Sequence, residues 1–575
     1  MHKKHIAFLC LLAVLTFANC LLNGFVGDDE FLFIKNPYYH SLSNLPKLFT
    51  KEYIADQDAV FNDVEENINS GSVGYRPVLS TTYFLDYFLW KNKPFGYHLQ
   101  NVLIHVINTV LVYLIFFAIM KDGLAAFIGA MLFSLHPLRS EAVASVGYRA
   151  DSLAALFLLF SFLSYVKGRR LPAHLFFFFA LFSKESAVVY PGVLMAYDWL
   201  IEKKKLIQIL KDMFSRYLGF IVILFFYLFI YIMVFPNSSL GVGSAMPLTA
   251  KGMAQAVTIL HIFSHYLTVF VFPFLVRSLP PLYVPAIDPI FGITTWLAVV
   301  AAILFIWLLI KSRHHSTVFF FLIWFLLFFI PVSNIIVIVN PMAYRFMYLP
   351  GVGLAGAAAI LLLRLREWYV FQRNPRLFPV VTTGLIALCM SATIFLNFSW
   401  RNNAMMSVAM VKDFPDYPVG YLHAGIAYFD AGLLDKAEEY LLKGIDKGLT
   451  DPRAYYLLGL CSVSQPDVSN AYFKRSISAF PKFLYSYIGL GRNCLFQGQL
   501  EESSAYLYKS LEISPRWNAY GYLIQAHWFR HEKDEARKIF EESQRQLDPM
   551  RAQWLKKLYD SLEKNEIQLP MDLGI

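Results

Sequence analysis

Three carboxylates in a row, Asp28, Asp29 and Glu30, follow Gly27 directly after the first apolar run and open the longest polar stretch of the chain, residues 24–97. Acidic groups at a membrane surface, with no cation beside them in sequence, suit proton abstraction from a hydroxyl, which makes Asp28 and Asp29 the general-base candidates. The same groups also suit a divalent cation or plain hydration. A second set is mainly cationic and scattered along the chain: Arg76, His136, Glu141, Arg149, Lys184, Glu185 and Arg345 all fall in or beside loops between apolar runs. Cations drawn from several loops to one interface suit a membrane-borne phosphate, which needs charge neutralisation and hydrogen bonds. The plainer alternative is a set of loop salt bridges, Arg149 with Asp151 and Lys184 with Glu185.

A third set lies inside an apolar run. His98, Asn101, His105 and Asn108 stand at offsets of three, seven and ten, so on a helix they share one narrow arc. Such a stripe faces the interior of a bundle, where it either orients a polar headgroup or bonds neighbouring helices. No carboxylate joins it, and no metal site is predicted.

The elements that must position these groups are membrane helices. The chain has 575 residues, 57% hydrophobic and only 16% charged, with a mean hydropathy of +0.47, far too apolar for a soluble protein of this size. Apolar runs close to the ~20 residues that span a bilayer predict eleven crossings, at about 5–23, 98–120, 124–136, 150–166, 172–183, 187–201, 214–235, 291–310, 317–339, 348–363 and 377–398. The runs at 124–136 and 172–183 are short and are expected to extend into their polar flanks. The first run has a basic start like a signal peptide, but Asn19 rather than a small residue precedes Cys20, so it reads as an uncleaved first span.

The formal charge of +9 lies in short loops and not on one face, which excludes nucleic acid as a partner and fixes topology instead. Lys167, Arg169, Arg170, Lys203 to Lys205, Lys311, Arg313, Arg364, Arg366, Arg373 and Arg376 share the cytoplasmic side only if 256–275, interrupted by His261, Ser264 and His265, is re-entrant or interfacial. The N-terminus is then cytoplasmic. The remainder, from about residue 400, is periplasmic or lumenal. The five cysteines show no metal or disulfide spacing.

From Tyr421 onward the sequence recurs about every 34 residues, the period of tetratricopeptide (TPR) helical hairpins. Tyr421, Ala424, Gly425 and Leu441 are echoed by Tyr455, Leu458, Gly459 and Phe473, then by Tyr487, Leu490, Gly491 and Leu507. A weaker fourth copy carries Tyr520, Leu523, Ala536 and Phe540. The fold class is therefore all-α: a polytopic membrane bundle over 1–399, with outer loops at 24–97 and 236–290, followed by a TPR solenoid of three to four repeats over 400–575.

Taken in order, GDDEFLFIKNP (27–37), YRPV (75–78), PFGYHLQNVLIHVIN (94–108), HPLRSEAVASVGYRADSL (136–153), SKESAVVYP (183–191), SNIIV (333–337), AYRFMYLP (343–350) and SWRNN (399–403) resemble the transmembrane and TPR protein O-mannosyltransferases and their bacterial relatives, within the multi-pass GT-C glycosyltransferases. The resemblance covers most of the chain. It implies an inverting transfer of mannose or a similar hexose from a polyprenyl-phosphate donor to a Ser/Thr hydroxyl of a protein on the non-cytoplasmic face, in a bacterial inner membrane or the endoplasmic reticulum. Asp28 or Asp29 would be the base. Arg149, Lys184 and Arg345, with Arg76, His98, His105, His136, Glu141 and Glu185 around them, would hold the donor.

Where the family pattern leads one to expect an acid before the arginine of AYRFMYLP, this chain has Tyr344, which leaves Arg345 without that partner. The array is short for eukaryotic members, which points to a bacterial relative. No cofactor is predicted, and a divalent metal is allowed but not required. The expected partners are the lipid-linked sugar, membrane lipid and a protein or peptide acceptor at the repeats. Two alternatives are transfer to a glycolipid or envelope polysaccharide, and a non-catalytic scaffold that assembles envelope proteins.

Overall fold

The computed structural model describes residues 2–27, 29, 36–49, 75–234, 253–278, 292–336, 341–547 and 549–573. It divides into two units, Met1–Met406 and Ser407–Ile575. Every regular element among the described residues is helical.

The first unit is built from α1 (His2–Phe17), α2 (Pro77–Trp90), α3 (Pro94–Met120), α4 (Gly123–Leu135), α5 (Arg149–Val166), α6 (Arg170–Leu181) and α7 (Tyr190–Leu200). These are followed by α8 (Leu218–Val234), α9 (Met253–Val271), α10 (Ile293–Ser312), α11 (Ser316–Phe329), α12 (Pro350–Arg364) and α13 (Leu377–Asn397). Among the described residues, six helices are long and apolar enough to cross a membrane, and four shorter apolar ones join them, which fits a multi-pass membrane protein. The helices α3 and α5 are central: 61% and 67% of their apolar windows are buried, against 17% for α10, whose side chains face outward.

Local chemistry sets the ends. Pro94 opens α3, where its missing N–H costs nothing. Lys121 then takes a left-handed conformation, and Asp122 caps α4 by accepting the N–H groups of Leu124 and Ala125. The short runs do not lengthen as expected: α4 keeps 13 residues because Pro137 turns the chain, and α6 keeps 12 before the chain leaves it toward Lys184. Likewise Pro331 closes α11 in a tight turn well before residue 339. The first helix is bonded into the bundle, since Asn397 donates to Thr16 O at 3.0 Å and Asn19 to Ile394 O at 3.0 Å.

The interrupted segment 256–275 forms one continuous helix, α9, followed by a 3-10 turn at Pro273–Leu275. Its polar residues point inward: His261 bonds Thr295 Oγ1 at 2.9 Å and Tyr266 donates to Ala343 O at 2.8 Å. Near one end Gln255 donates to the carbonyls of Asn334 and Ile335. At the other Phe270 O accepts from His136, and Arg277 N–H meets the Tyr344 hydroxyl.

The second unit stacks four hairpins, α14 (Pro418–Asp430) with α15 (Leu434–Asp446), α16 (Pro452–Cys461) with α17 (Pro466–Ala479), α18 (Leu484–Phe496) with α19 (Leu500–Ile513) and α20 (Trp517–Phe529) with α21 (Lys533–Gln546), and a further helix α22 (Pro549–Glu563). The recurring glycine has a packing reason. A Cβ on Gly459 would stand 2.5 Å from the Phe473 ring of the paired helix. The equivalent Gly425 and Gly491 receive Leu441 and Leu507 in the same way.

Candidate functional site

One end of the first unit gathers most of the groups singled out in the sequence. Its centre is the pentapeptide Gly147 to Asp151, which enters α5 and of which four residues each make a different contact. Gly147 donates its N–H to Asp29 Oδ1 at 2.7 Å. The Tyr148 ring lies under the Arg345 guanidinium at 3.8 Å. Arg149 turns into the bundle, and Asp151 accepts from Lys184 Nζ at 2.5 Å.

Asp29 is buried, and its other oxygen accepts the Val26 N–H at 3.1 Å. The strand of chain before it is held from two directions. His98 donates Nε2–H to Gly24 O at 3.1 Å, while Gly24 N–H donates to Arg401 O at 2.8 Å and Gly27 N–H to Asn403 Oδ1 at 2.7 Å. The SWRNN segment thus clamps the start of the acidic loop. Asp28 and Glu30 lie outside the described residues.

The polar stripe of α3 faces the bundle and bonds its neighbours. Asn101 donates to Val143 O and Ser145 O, and Asn108 to Ser152 O and the Tyr348 hydroxyl. His105 donates to Ser134 O at 3.0 Å and accepts from Tyr348 at 2.6 Å. These side chains bond the elements packed around α3. His136 does the same, donating to Phe270 O at 3.1 Å and accepting Leu138 N–H at 3.2 Å.

The four cations separate into two kinds. Arg149 is fully buried, and four of its hydrogen bonds are internal: Nε to Asn101 Oδ1 at 2.6 Å, Nη1 to Asp86 Oδ2 at 2.5 Å and to Thr82 Oγ1 at 2.9 Å, and Nη2 to Tyr97 O at 3.0 Å. With five N–H groups in all, it is nearly saturated by α2 and α3, and the predicted pairing with Asp151 gives way to Asp86. A guanidinium so committed ties the turn before α5 to α2 and α3.

Among the described residues, the other three cations keep donors in reserve. Arg76 sends Nε and Nη2 to Glu185, Lys184 sends one of three N–H groups to Asp151, and Arg345 bonds Glu141 through Nη1 and its backbone N–H. Arg345 therefore does have an acidic partner, from the loop after α4 and not from position 344. Lys184 pairs with Asp151 and not with its neighbour Glu185, because extended backbone at Lys184 sends adjacent side chains to opposite sides.

Sequence reasoning missed Asp86 as a site residue, although a single carboxylate in the apolar stretch PVLSTTYFLDYFLW was signal enough. It also missed Arg139, fully buried with no ion pair among the described residues, which donates to Phe133 O at the C-terminus of α4 and to Met347 O. Burial lowers Arg139 to about 10, and the helix C-terminus it caps offsets part of its charge.

Burial raises the Asp86 carboxyl above its ordinary range, opposed by Arg149. Burial also lowers Lys184, opposed by Asp151. For Glu185 burial alone would raise the carboxyl, but Arg76 beside it brings the group down to about 2.

Two predictions follow from these pairs. Asp86→Ala leaves Arg149 buried and unpaired, a loss of about 3–5 kcal/mol, whereas Asp86→Leu with Arg149→Met in the same chain recovers most of it, read as thermal stability in detergent. Since Glu185 is lower in the folded chain than its ordinary 4.5, its stabilisation is complete above that value and fades as the pH drops toward 2. Thermal midpoints taken from about pH 5 to pH 3 should therefore decline more steeply for the native chain than for Glu185→Gln.

No family model matches the chain. Curated relatives do. The chain is 33% identical over 211 residues to the human protein O-mannosyl-transferase TMTC1, covering 32% of this chain and 23% of that one. Mouse TMTC3 is 31% identical over 166 residues, covering 29% and 17%. A protein O-mannosyl-transferase of Caenorhabditis elegans is 26% identical over 211 residues, covering 35% and 29%. The solved structure of YrrB, a TPR protein with an unusual peptide-binding site, is 15% identical and covers 33% of this chain and 96% of that one at a TM-score of 0.24. The TPR reading here rests on the hairpins themselves. The matched stretch spans less than a third of the curated relatives' own length, and over it the chain is similar to protein O-mannosyl-transferases.

Proposed function

We propose that the chain is an inverting membrane glycosyltransferase that moves a hexose from a polyprenyl-phosphate donor to a Ser or Thr hydroxyl of a protein. The observation that carries this is the convergence on residues 147–151, where one short turn touches both Asp29 and the partners Arg345 and Lys184. In this reading Asp28 or Asp29 accepts the proton of the acceptor hydroxyl as its oxygen attacks the anomeric carbon. The bond from that carbon to the phosphate oxygen breaks, and the phosphate leaves with the electron pair. Arg76, Lys184 and Arg345 stabilise it with the N–H groups not used on Glu185, Asp151 and Glu141, so no general acid is required. Similarity to relatives named protein O-mannosyl-transferases supports the choice of a protein acceptor and a mannose-like sugar.

The proposed topology keeps α9 on the outer face. Contacts from near both of its ends to the outer loops, Gln255 to the 334–335 turn and Phe270 to His136, support a helix that enters without crossing. The repeats are then periplasmic or lumenal. Comparing intact masses of envelope or lumenal proteins from cells with and without the chain tests the reading. Hexose increments on specific proteins that vanish without the chain, and that return with the native chain but not with the triple substitution Arg76→Ala, Lys184→Ala and Arg345→Ala, are expected. No protein increment in any strain, or increments confined to lipid, contradicts it.

A further inference from the structure

The first helices of successive TPR hairpins line the concave side of such an array. Here part of that side is already filled by residues 571–573 of the same chain. Gln525 on α20 reads the backbone of Met571 in both senses, accepting its N–H at 2.6 Å and donating to its C=O at 3.1 Å. Arg492 on α18 grips Asp572 through Nε at 2.9 Å and through Nη2. Tyr522 donates its hydroxyl to Asp572 Oδ1 at 2.5 Å and accepts the Leu573 N–H at 3.0 Å. The Leu573 side chain then drops over Gly521, where a Cβ would stand 2.3 Å from it, and joins the apolar cluster with Leu555 and Leu558.

These contacts are of the kind that hold a bound peptide. Main-chain hydrogen bonds hold an extended segment, and pockets for alternate features read its side chains. Gln525 and Tyr522 are buried, and both spend polar atoms on this segment. We propose that this groove is a binding site for extended client peptides carrying a carboxylate followed by a leucine-sized side chain, and that residues 571–573 are its built-in competitor. A tethered segment acts at an effective concentration on the order of millimolar, so a client succeeds only if it binds better or is delivered close by. The inference stands apart from the sugar-transfer reading, because its readout is binding and not transfer.

The test uses the full chain in detergent and a labelled peptide with the sequence of residues 567–575, IQLPMDLGI. Asp572→Ala with Leu573→Ser releases the segment and should tighten peptide binding at least roughly tenfold over the native chain. Adding Gln525→Ala to the released chain should abolish that gain. A released chain that binds the peptide no better than the native one, or a gain indifferent to Gln525→Ala, overturns the proposal. Should the released chain fail to fold, the native chain supplies the answer. Excess peptide should speed hydrogen exchange at the Met571 amide, while the same peptide with its aspartate replaced by alanine should not. Exchange unchanged by either peptide overturns the proposal equally.

Discussion

The guanidinium of Arg149, sealed inside the first unit against Asp86, Asn101, Thr82 and the Tyr97 carbonyl, is the contact on which the candidate-site end of the bundle depends. A buried charge is tolerated only when it is paired and hydrogen-bonded. Meeting that condition ties α5 to α2 and α3 and fixes where α5 begins. Because the preceding turn is one residue away, the same constraint sets Tyr148 beneath Arg345 and Gly147 against Asp29. Two residues on, it sets Asp151 against Lys184. Three loops distant in sequence are thereby referenced to one helix N-terminus.

That arrangement assigns different work to residues of the same type. Arg149 and Arg139 are interior groups, one compensated by a carboxylate and one by helix C-terminal carbonyls. Arg76 and Arg345 are half-buried and Lys184 is buried, each with an acid at its side and, among the described residues, N–H groups beyond that bond. In the proposed transfer, the acid partners would hold these cations in place before the donor binds, so that its phosphate meets positioned donors instead of flexible side chains.

Much of this was legible in the sequence, and the limits have physical reasons. Helical periodicity put His98, Asn101, His105 and Asn108 on one buried face, because a stripe needs only the 100° step. The recurrence of Gly425, Gly459 and Gly491 was visible because close helix approach leaves no room for a side chain. Pairing was not legible. Whether Lys184 meets Glu185 or Asp151 depends on backbone direction at one residue, and the Glu141–Arg345 pair joins positions 204 apart. The expected acid before Arg345 was sought in local sequence, whereas the fold supplies it from another loop. Helix ends were displaced wherever a proline, at 137, 331 or 350, overrode the apolar run.

The repeat unit follows a simpler rule, large side chains of one helix seated on glycines of its partner, and the polar groups on its inner face are answered by the chain itself at Met571 and Asp572. The acidic loop is the part of the molecule where chemistry is assigned to particular atoms. It is examined most directly by assaying the purified chain with a polyprenyl-phosphate hexose and a Ser/Thr peptide, comparing Asp28→Asn and Asp29→Asn with the native chain while donor binding is measured in parallel. One of the two should lose transfer by roughly 10²- to 10⁴-fold with donor binding unchanged. Undiminished transfer in both, or transfer that falls only as donor binding falls, contradicts a carboxylate base in this loop.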